Sequence, residues 1–185
     1  ESAWTPTSIV PHTVLTGHSP YRYVRQCFLV LLTMSYAPPH FSWVSENVAG
    51  FAFPHLRENL DYLVNRAHIT HLITLCREKP EHLDDFPSLH HHYFPVGGFT
   101  EDDVDLVKNI VDIIVNAESK NEKSGVHCQM GMVRTGTILA AYLANKNKVD
   151  GLTATKQLFK LRPKSLVEGS DAEVVRKYAE SLGYN

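Results

Sequence analysis

The stretch HCQMGMVRTG, His127 to Gly136, places a cysteine six residues before an arginine and continues with Thr-Gly. The preceding residues, Ser124 to His127, are predicted to end a buried strand, and Thr135 to Asn145 are predicted to form an apolar helix. The loop between them closes onto a helix N-terminus, where unpaired backbone N–H groups and the helix dipole attract anions. The stretch therefore predicts a binding site for a dianion such as phosphate.

The side chains of this loop supply the chemistry that a phosphate site needs around a nucleophile. Cys128 is the candidate nucleophile, because a helix N-terminus and a nearby cation lower the pKa of a thiol. Arg134 offers a planar fork of donors for two phosphate oxygens, and Thr135 can donate its hydroxyl hydrogen to the sulfur. Gly131 permits the close turn of a cradle. The phosphate-binding loop, acting through backbone amides, is predicted to be Gln129, Met130, Gly131, Met132, Val133 and Arg134.

These residues resemble the signature of the cysteine-dependent protein tyrosine phosphatases, which is His-Cys, five residues, then Arg-Ser/Thr-Gly. Four further stretches resemble the small atypical dual-specificity phosphatases: FSWV at Phe41 to Val44, AGFAFP at Ala49 to Pro54, HLITL at His71 to Leu75, and LRPKS at Leu161 to Ser165. The resemblance implies a protein tyrosine phosphatase-like fold and a phosphocysteine intermediate, with Cys128, Arg134 and Thr135 as catalytic residues. It also implies phosphorylated proteins as substrates, no metal and no other cofactor.

Alternating strand and helix patterns predict an α/β fold with a mostly parallel central sheet flanked by helices. The predicted strands lie within Trp43 to Phe53, Ile69 to Cys76 and Leu89 to Phe94, and the predicted helices are His55 to Arg66 and Asp102 to Ala117. Asn116 to Ser124 (NAESKNEKS) is predicted to be a charged link exposed to solvent.

Length and composition fit one domain. The 185 residues, 43% of them hydrophobic, are enough for a sizeable core. The net charge is only -2 and there is no basic run, which disfavours nucleic acid or an anionic membrane as a main partner. Stable membrane insertion is not expected. Three cysteines make an odd count, and an activated thiol among them indicates a reducing, cytoplasmic location, the cytosol or the nucleus. A monomer is the expected oligomeric state.

The N-terminal stretch differs from the rest of the chain. Glu1 to Thr33 has no sustained periodicity, and we predict an upstream extension outside the domain. The apolar run Cys27 to Met34 mimics a signal peptide but is too short to span a bilayer, which takes about 20 apolar residues. Met34 is the predicted natural start, since in the resembling phosphatases a methionine precedes a run like that at Pro38 to Val44. The catalytic domain is therefore predicted to be residues 34–185.

Two positions depart from the family pattern. Relatives carry a general-acid Asp on a loop before the nucleophile, and Val96 or Gly97, neither of which can donate a proton, stands at the corresponding position. The alternatives on the same loop, called the loop carboxylates below, are Glu101, Asp102 and Asp103. They either donate the proton or only stabilise the N-terminus of the next helix. Relatives also carry a water-positioning Gln after the LRPKS motif, and Asp171 lies near that point.

Consecutive histidines and a second cysteine give weaker signals. Side chains alternate faces along a strand, so only His90 and His92 could share a metal ion, and no Cys or carboxylate at ligand spacing supports zinc. Cys76 ends the predicted strand HLITLC at the sheet edge where Cys128 is also expected. Cys76 is either a packing residue or a redox partner that forms a disulfide with oxidised Cys128.

The sequence therefore predicts a phosphatase that hydrolyses phosphotyrosine, and also phosphoserine and phosphothreonine, on proteins. The alternative is a pseudophosphatase-like module that binds phosphoproteins with weak turnover, because the usual acid and Gln are absent. A rhodanese-like sulfurtransferase is disfavoured by the Arg-Thr-Gly ending, and a Cys-His hydrolase is disfavoured because adjacent side chains in a strand diverge. Phosphoinositides and RNA 5′-phosphates rank behind phosphoproteins, because the loop has no lysine.

Overall fold

The computed structural model describes residues 36–185, and within this range the chain forms a five-stranded sheet. The predicted extension, Glu1 to Thr33, and the predicted start at Met34 lie outside the described residues. The strands are β1 (Ser42–Trp43), β2 (Val48–Phe51), β3 (Ile69–Thr74), β4 (His90–Tyr93) and β5 (Lys123–His127). They lie in the order β1-β2-β5-β3-β4, with β1 antiparallel to β2 and the other neighbours parallel.

Helices cover both faces of this sheet, which confirms the predicted α/β architecture. The helices are α1 (Arg57–Asp61), which continues into a wider helical turn at Tyr62–Arg66, α2 (Val104–Ser119), α3 (Val133–Asn147), α4 (Gly151–Leu161) and α5 (Gly169–Ser181). One core packs α2 to α5 against the sheet, and a second core packs α1 and its continuation against the opposite face. Apolar strands covered on both faces are typical of parallel sheets.

The larger core surrounds α3, which is buried along most of its length. Its residues Thr135 to Ala144 are all buried, and the small Ala and Gly side chains let the sheet and the neighbouring helices approach closely. Helix α2 contributes one apolar face, with Val107, Ile110, Val111 and Ile114 inaccessible to solvent. Although α3 is apolar, no helix within residues 36–185 is both long and apolar enough to cross a bilayer.

Helix α1 starts later than its apolar spacing predicts. The Asn59 side chain accepts a hydrogen bond from the Leu56 amide at 3.0 Å and so fixes the first turn after Leu56. Leu56 therefore lies outside the helix and is 54% exposed, whereas Leu60 and Leu63 are buried in the second core. The apolar period correctly places the buried face but not the helix start.

The charged link before β5 is shorter than predicted. Helix α2 extends to Ser119 and β5 already begins at Lys123. Ser124, which the sequence patterns place both at the end of the charged link and in the buried strand, is buried because β5 is central in the sheet, and its amide donates to the Asn47 carbonyl oxygen at 2.8 Å. Sheet pairing overrides the polar composition at this point.

Candidate active site

Cys128 lies directly after the central strand, where β5 gives way to α3. Strand β5 ends at His127 and α3 begins at Val133, so residues 128–132 form the connecting loop. Gly131 in this loop has a φ of +67°, and a Cβ atom there would lie 2.4 Å from the carbonyl carbon and oxygen of Phe51. Only glycine fits so close to the end of the neighbouring strand β2.

The Cys128 thiol is buried, with 2% of the residue exposed. Burial opposes ionisation, but hydrogen bonds from the Thr135 hydroxyl and from the Thr135 and Gly131 amides favour the thiolate, as does the charge of Arg134. These contributions outweigh burial, and the pKa of Cys128 is lowered from its ordinary value. No other group within the described residues occupies the buried Thr135 hydroxyl, which is therefore free to donate to a thiolate. This environment suits a nucleophilic thiolate.

Carbonyl groups of the loop are bonded to donors that lie outside it. The bonds run from Phe53 N to Gln129 O at 3.1 Å, from His40 Nδ1 to Met130 O at 3.0 Å, and from Arg162 Nη1 to Gly131 O at 3.0 Å. The N–H and C=O groups of a trans peptide point in opposite directions, so carbonyls held outward leave the adjoining amides directed into the loop. Converging amides of this kind form an anion-binding nest.

Arg162 is a buried cation beside the loop. In the sequence it stands out only as part of the LRPKS motif that resembles the family, and not as a contact of the loop. The residue is 5% exposed and pairs with no Asp or Glu of residues 36–185. Its guanidinium donates to Ser42 Oγ, Gly131 O, Ser165 Oγ and His40 O. Burial lowers the pKa of Arg162, whereas proximity to Cys128 raises it. The guanidinium therefore adds positive charge near the sulfur.

Arg134, in the first turn of α3, connects the loop to two other segments. Its Nη1 donates to the main-chain oxygens of Leu75, at 3.3 Å, and of Val96, at 2.9 Å. Leu75 directly follows β3, and Val96 lies in the loop between β4 and α2. One end of the guanidinium is thus fixed by the protein itself.

His127 occupies the end of β5 as a buried, neutral side chain. Burial lowers the pKa of His127 to about 3. Its Nε2 lies 2.7 Å from Thr74 Oγ1, and the same hydroxyl lies 2.9 Å from His91 Nε2. Nε2 of the imidazole is therefore engaged with Thr74 on the adjacent strand, which argues against His127 as the base of a Cys-His hydrolase.

The loop carboxylates have different surroundings. Asp103 Oδ2 accepts hydrogen bonds from the Thr100 amide at 2.7 Å and the Thr100 hydroxyl at 2.8 Å, closing the turn before α2. Glu101 pairs with Lys177 of α5 at 3.3 Å. Asp102 is exposed. The two alternatives for these carboxylates, proton donor or structural charge, are both still predictions.

Asp171 lies against the helix that carries the phosphate loop. Its Oδ1 accepts a hydrogen bond from Thr137 Oγ1 at 2.9 Å, and the same hydroxyl lies 3.1 Å from the Val133 carbonyl oxygen. Val133 and Thr137 belong to the first turns of α3, so the carboxylate is held next to the loop. Asp171 is also in the first turn of α5, where a negative charge suits the helix dipole.

Cys76 lies two residues after β3, which is the neighbour of β5, the strand that Cys128 directly follows. Both cysteines are buried free thiols. The strands remain paired up to this point, since the Leu75 amide donates to the His127 carbonyl at 2.9 Å. Burial raises the pKa of Cys76 to about 11, with Arg134 acting in the opposite direction and Cys128 adding to the rise. The paired strand ends place the two cysteines near each other, and the disulfide is still a prediction.

The histidines of β4 acquire partners that sequence spacing does not reveal. His71 Nδ1 lies 3.0 Å from His92 Nε2, and His71 Nε2 lies 2.8 Å from Glu122 Oε2. His71 and Glu122 come from β3 and from the segment before β5, so only the sheet brings them together. Even so, no group of three or more His, Cys, Asp or Glu in the described part of the chain is arranged to hold a metal ion.

Solved structures share this fold at low sequence identity. Tk-PTP in its active form superposes with a TM-score of 0.68 at 21% identity, covering 77% of this chain and 97% of that one. Human DUSP28 gives a TM-score of 0.68 at 18% identity, covering 80% and 99%. PTPMT1, solved in complex with PI(5)P, gives a TM-score of 0.70 at 18% identity, covering 77% and 96%.

The sequence also matches a protein family over most of its length. Residues 38–175 match the family described as Swiss Army Knife protein, DSP-PTPase phosphatase domain (PTP-SAK). The match contains the phosphate loop and every strand of the sheet. The chain therefore belongs to this family of dual-specificity-type phosphatase domains and is a phosphatase.

Proposed function

We propose that this chain is a protein phosphatase that hydrolyses phosphotyrosine, and also phosphoserine and phosphothreonine, through a phosphocysteine on Cys128. The observation that carries the proposal is the geometry of the loop: Cys128 lies between β5 and the N-terminus of α3, and the carbonyls that follow it are bonded outward. The lowered pKa of the buried Cys128 thiol agrees with it. A thiolate surrounded by inward-facing amides and a guanidinium is suited to attack a bound phosphate. The supporting residues are the loop from Gln129 to Arg134 and the hydroxyl of Thr135.

In the first step, the Cys128 thiolate attacks phosphorus. A sulfur–phosphorus bond forms, the phosphorus–oxygen bond to the substrate breaks, and the departing oxygen must take up a proton. Arg134 has one terminal nitrogen bonded to protein carbonyls, which leaves Nε and Nη2 to bind two phosphoryl oxygens. A loop carboxylate in its protonated form, or water, supplies the proton for the leaving oxygen.

In the second step, water attacks the phosphocysteine. The new oxygen–phosphorus bond displaces the sulfur, inorganic phosphate leaves, and the thiolate is restored. Thr135 stabilises that thiolate as the leaving group, because its hydroxyl donates to the sulfur. Asp171, which Thr137 holds beside the loop, is the candidate to orient the water. Its negative charge repels a phosphoryl group, so this step is expected to be slow.

A phosphoprotein-binding module with weak turnover is the second candidate. The observation that favours it is that residues 36–185 place no ready proton donor near Arg134: Val96 stands at the position expected for the acid, and its carbonyl oxygen contacts the guanidinium. Asp103 and Glu101 are each engaged in other bonds. Binding uses the amides and Arg134 alone and would survive without a general acid.

Protein substrates are favoured over phosphoinositides for a reason of charge. The phosphate loop has no lysine beside Arg134 to hold an additional phosphate. The PTPMT1 complex with PI(5)P makes a phosphoinositide the necessary comparison substrate. The motifs FSWV and LRPKS also resemble those of dual-specificity phosphatase 23, and this likeness is part of the proposal.

The deciding experiment compares wild type with Cys128→Ser on three substrates: a phosphotyrosine peptide, the matched phosphoserine peptide, and a short-chain phosphoinositide. The proposal predicts release of inorganic phosphate from the peptides by wild type only. It also predicts that Cys128→Ser still binds the phosphopeptides, because the amides and Arg134 remain. Binding without phosphate release by wild type would favour the binding module, and equal phosphate release by both proteins would refute the role of Cys128.

A further inference from the structure

His40 has a backbone conformation that its side chain makes costly. The Phe41 amide donates to the Pro38 carbonyl oxygen at 3.2 Å, which closes a turn with Pro39 and His40 at its central positions. His40 has a φ of +59°, as the second central residue of a type II turn requires. Glycine or asparagine is usual at that position, because a Cβ atom disfavours positive φ. His68 and His82 also have positive φ, so the backbone alone assigns no role, and the argument rests on what His40 contacts.

The imidazole and the backbone of His40 both contact the phosphate-loop assembly. His40 Nδ1 lies 3.0 Å from the Met130 carbonyl oxygen, and because a carbonyl can only accept, Nδ1 carries the proton. The His40 carbonyl oxygen in turn accepts a hydrogen bond from Arg162 Nη2 at 2.9 Å. Arg162 also holds the next loop carbonyl, that of Gly131. The turn is therefore tied to the loop both directly and through Arg162.

The bond from His40 acts on the peptide group that faces the nucleophile. The Met130 carbonyl and the Gly131 amide belong to one planar peptide, so their C=O and N–H groups point in opposite directions. The Gly131 amide is one of the groups that hydrogen-bond the Cys128 sulfur. Gly131 has no Cβ atom to limit rotation of this peptide, so the orientation depends on what holds the carbonyl.

We propose that His40 is a positioning residue, whose imidazole holds the Met130 carbonyl outward and thereby aims the Gly131 amide at the Cys128 sulfur. The effect on hydrolysis rests on the proposed function, but the effect on the thiolate does not. His40 lies 90 residues from Met130 in sequence, and neither the phosphate-loop motif nor the family match assigns it a role.

Three substitutions separate the hydrogen bond from the backbone strain. His40→Ala removes the donor and keeps a Cβ atom at positive φ, whereas His40→Gly removes the donor and relieves the strain. His40→Asn keeps a side-chain N–H donor and tolerates positive φ. His68→Gly is the matched control, because His68 also has a positive φ, of 57°, but makes no bond to the phosphate loop.

The measurement is the pH dependence of Cys128 alkylation by iodoacetamide, followed by mass spectrometry of the Cys128 peptide in the full chain. Cys76, with a pKa of about 11, does not compete at neutral pH. We expect Ala and Gly at position 40 to raise the alkylation midpoint by about one pH unit, which makes the reaction about tenfold slower at any pH well below the wild-type midpoint. His40→Asn and His68→Gly should stay near wild type, and melting temperatures verify folding.

The outcomes are distinct. Similar upward shifts in His40→Ala and His40→Gly, with rescue by His40→Asn, support the proposal. Unchanged midpoints in both donor-less variants refute it, and so does a shift in His40→Asn as large as that in His40→Gly. Failure of the proposed function is distinguishable from failure of this inference. In that case wild type reacts with iodoacetamide at low pH but hydrolyses no phosphoester, and the midpoints of the position-40 variants still support or refute the role of His40.

Discussion

Replacing Thr135 by valine removes the hydroxyl that bonds the Cys128 sulfur and nearly preserves side-chain volume. The hydroxyl is buried and has no other partner within the described residues, so its removal leaves no second group unsatisfied. A hydrogen bond to a charged group contributes about 1.5–3 kcal/mol, and one pKa unit corresponds to about 1.4 kcal/mol. Thr135→Val should therefore raise the pKa of Cys128 by about one to two units.

The same substitution makes a prediction about stability and its sign. A thiol with a lowered pKa stabilises the folded state only where it is ionised, so this stabilisation is present above the ordinary thiol pKa and is lost as pH falls through the folded-state pKa. Wild type should therefore exceed Thr135→Val by up to about 1.5–3 kcal/mol above about pH 8.5. At acid pH the two proteins should have nearly equal free energies of unfolding.

The assays are the alkylation midpoint of Cys128 and urea unfolding at pH 5 and pH 9. Thr135→Ser is the matched control, because it keeps the hydroxyl and loses only the methyl group. Its alkylation midpoint should remain near that of wild type. An unchanged alkylation midpoint in Thr135→Val would refute the reasoning, because the hydroxyl would then contribute nothing to the thiolate.

Four further expectations concern the loop, the proton donor, the second cysteine and the N-terminal segment. Gly131→Ala should lower the unfolding free energy by more than the ~1–2 kcal/mol cost of positive φ, because its Cβ would also lie 2.4 Å from Phe51; unchanged urea unfolding contradicts this. Without a general acid, the rate of hydrolysis should fall steeply as the pKa of the leaving group rises, by roughly 10²–10⁴-fold on poor leaving groups. A flat dependence would instead mean that a loop carboxylate is the donor, and single Ala substitutions would then identify which one. Mild peroxide should give a reversible Cys76–Cys128 disulfide that is visible in peptide maps. The disulfide would be excluded if the linked peptide were absent and dithiothreitol restored activity equally in wild type and Cys76→Ser. Removal of residues 1–33 should leave the melting temperature and the activity unchanged, and a large loss of either would assign that segment to the fold.

The contiguous part of the site was accessible from sequence, because its residues share one strand–loop–helix unit. The helix after Cys128 has a clear apolar run, and the Cys-to-Arg spacing marks the loop that precedes it. His40 and Arg162 were not accessible as loop contacts, since they reach the loop from segments 90 and 31 residues away in the chain. Such contacts depend on strand order and helix packing, which no local period encodes.

The fold shows the same division between local and distant information. The buried face of α2 follows from its apolar spacing. The start of α1 depends on one hydrogen bond from the Leu56 amide to Asn59, and burial of Ser124 depends on its central place in the sheet. The pairing of His71 with Glu122 spans 51 residues, so consecutive histidines alone gave no indication of it.

The contacts of Arg134 with the Leu75 and Val96 carbonyls determine when the entropy of ordering its side chain is lost. A free arginine loses about 2 kcal/mol of rotamer entropy when it is immobilised. Here the Nη1 bonds already restrict the guanidinium before any anion arrives. Much of that loss therefore falls on folding rather than on binding, and phosphate meets a preorganised receptor. Affinity for the anion is in this way linked to the integrity of the β3 end and the β4–α2 loop.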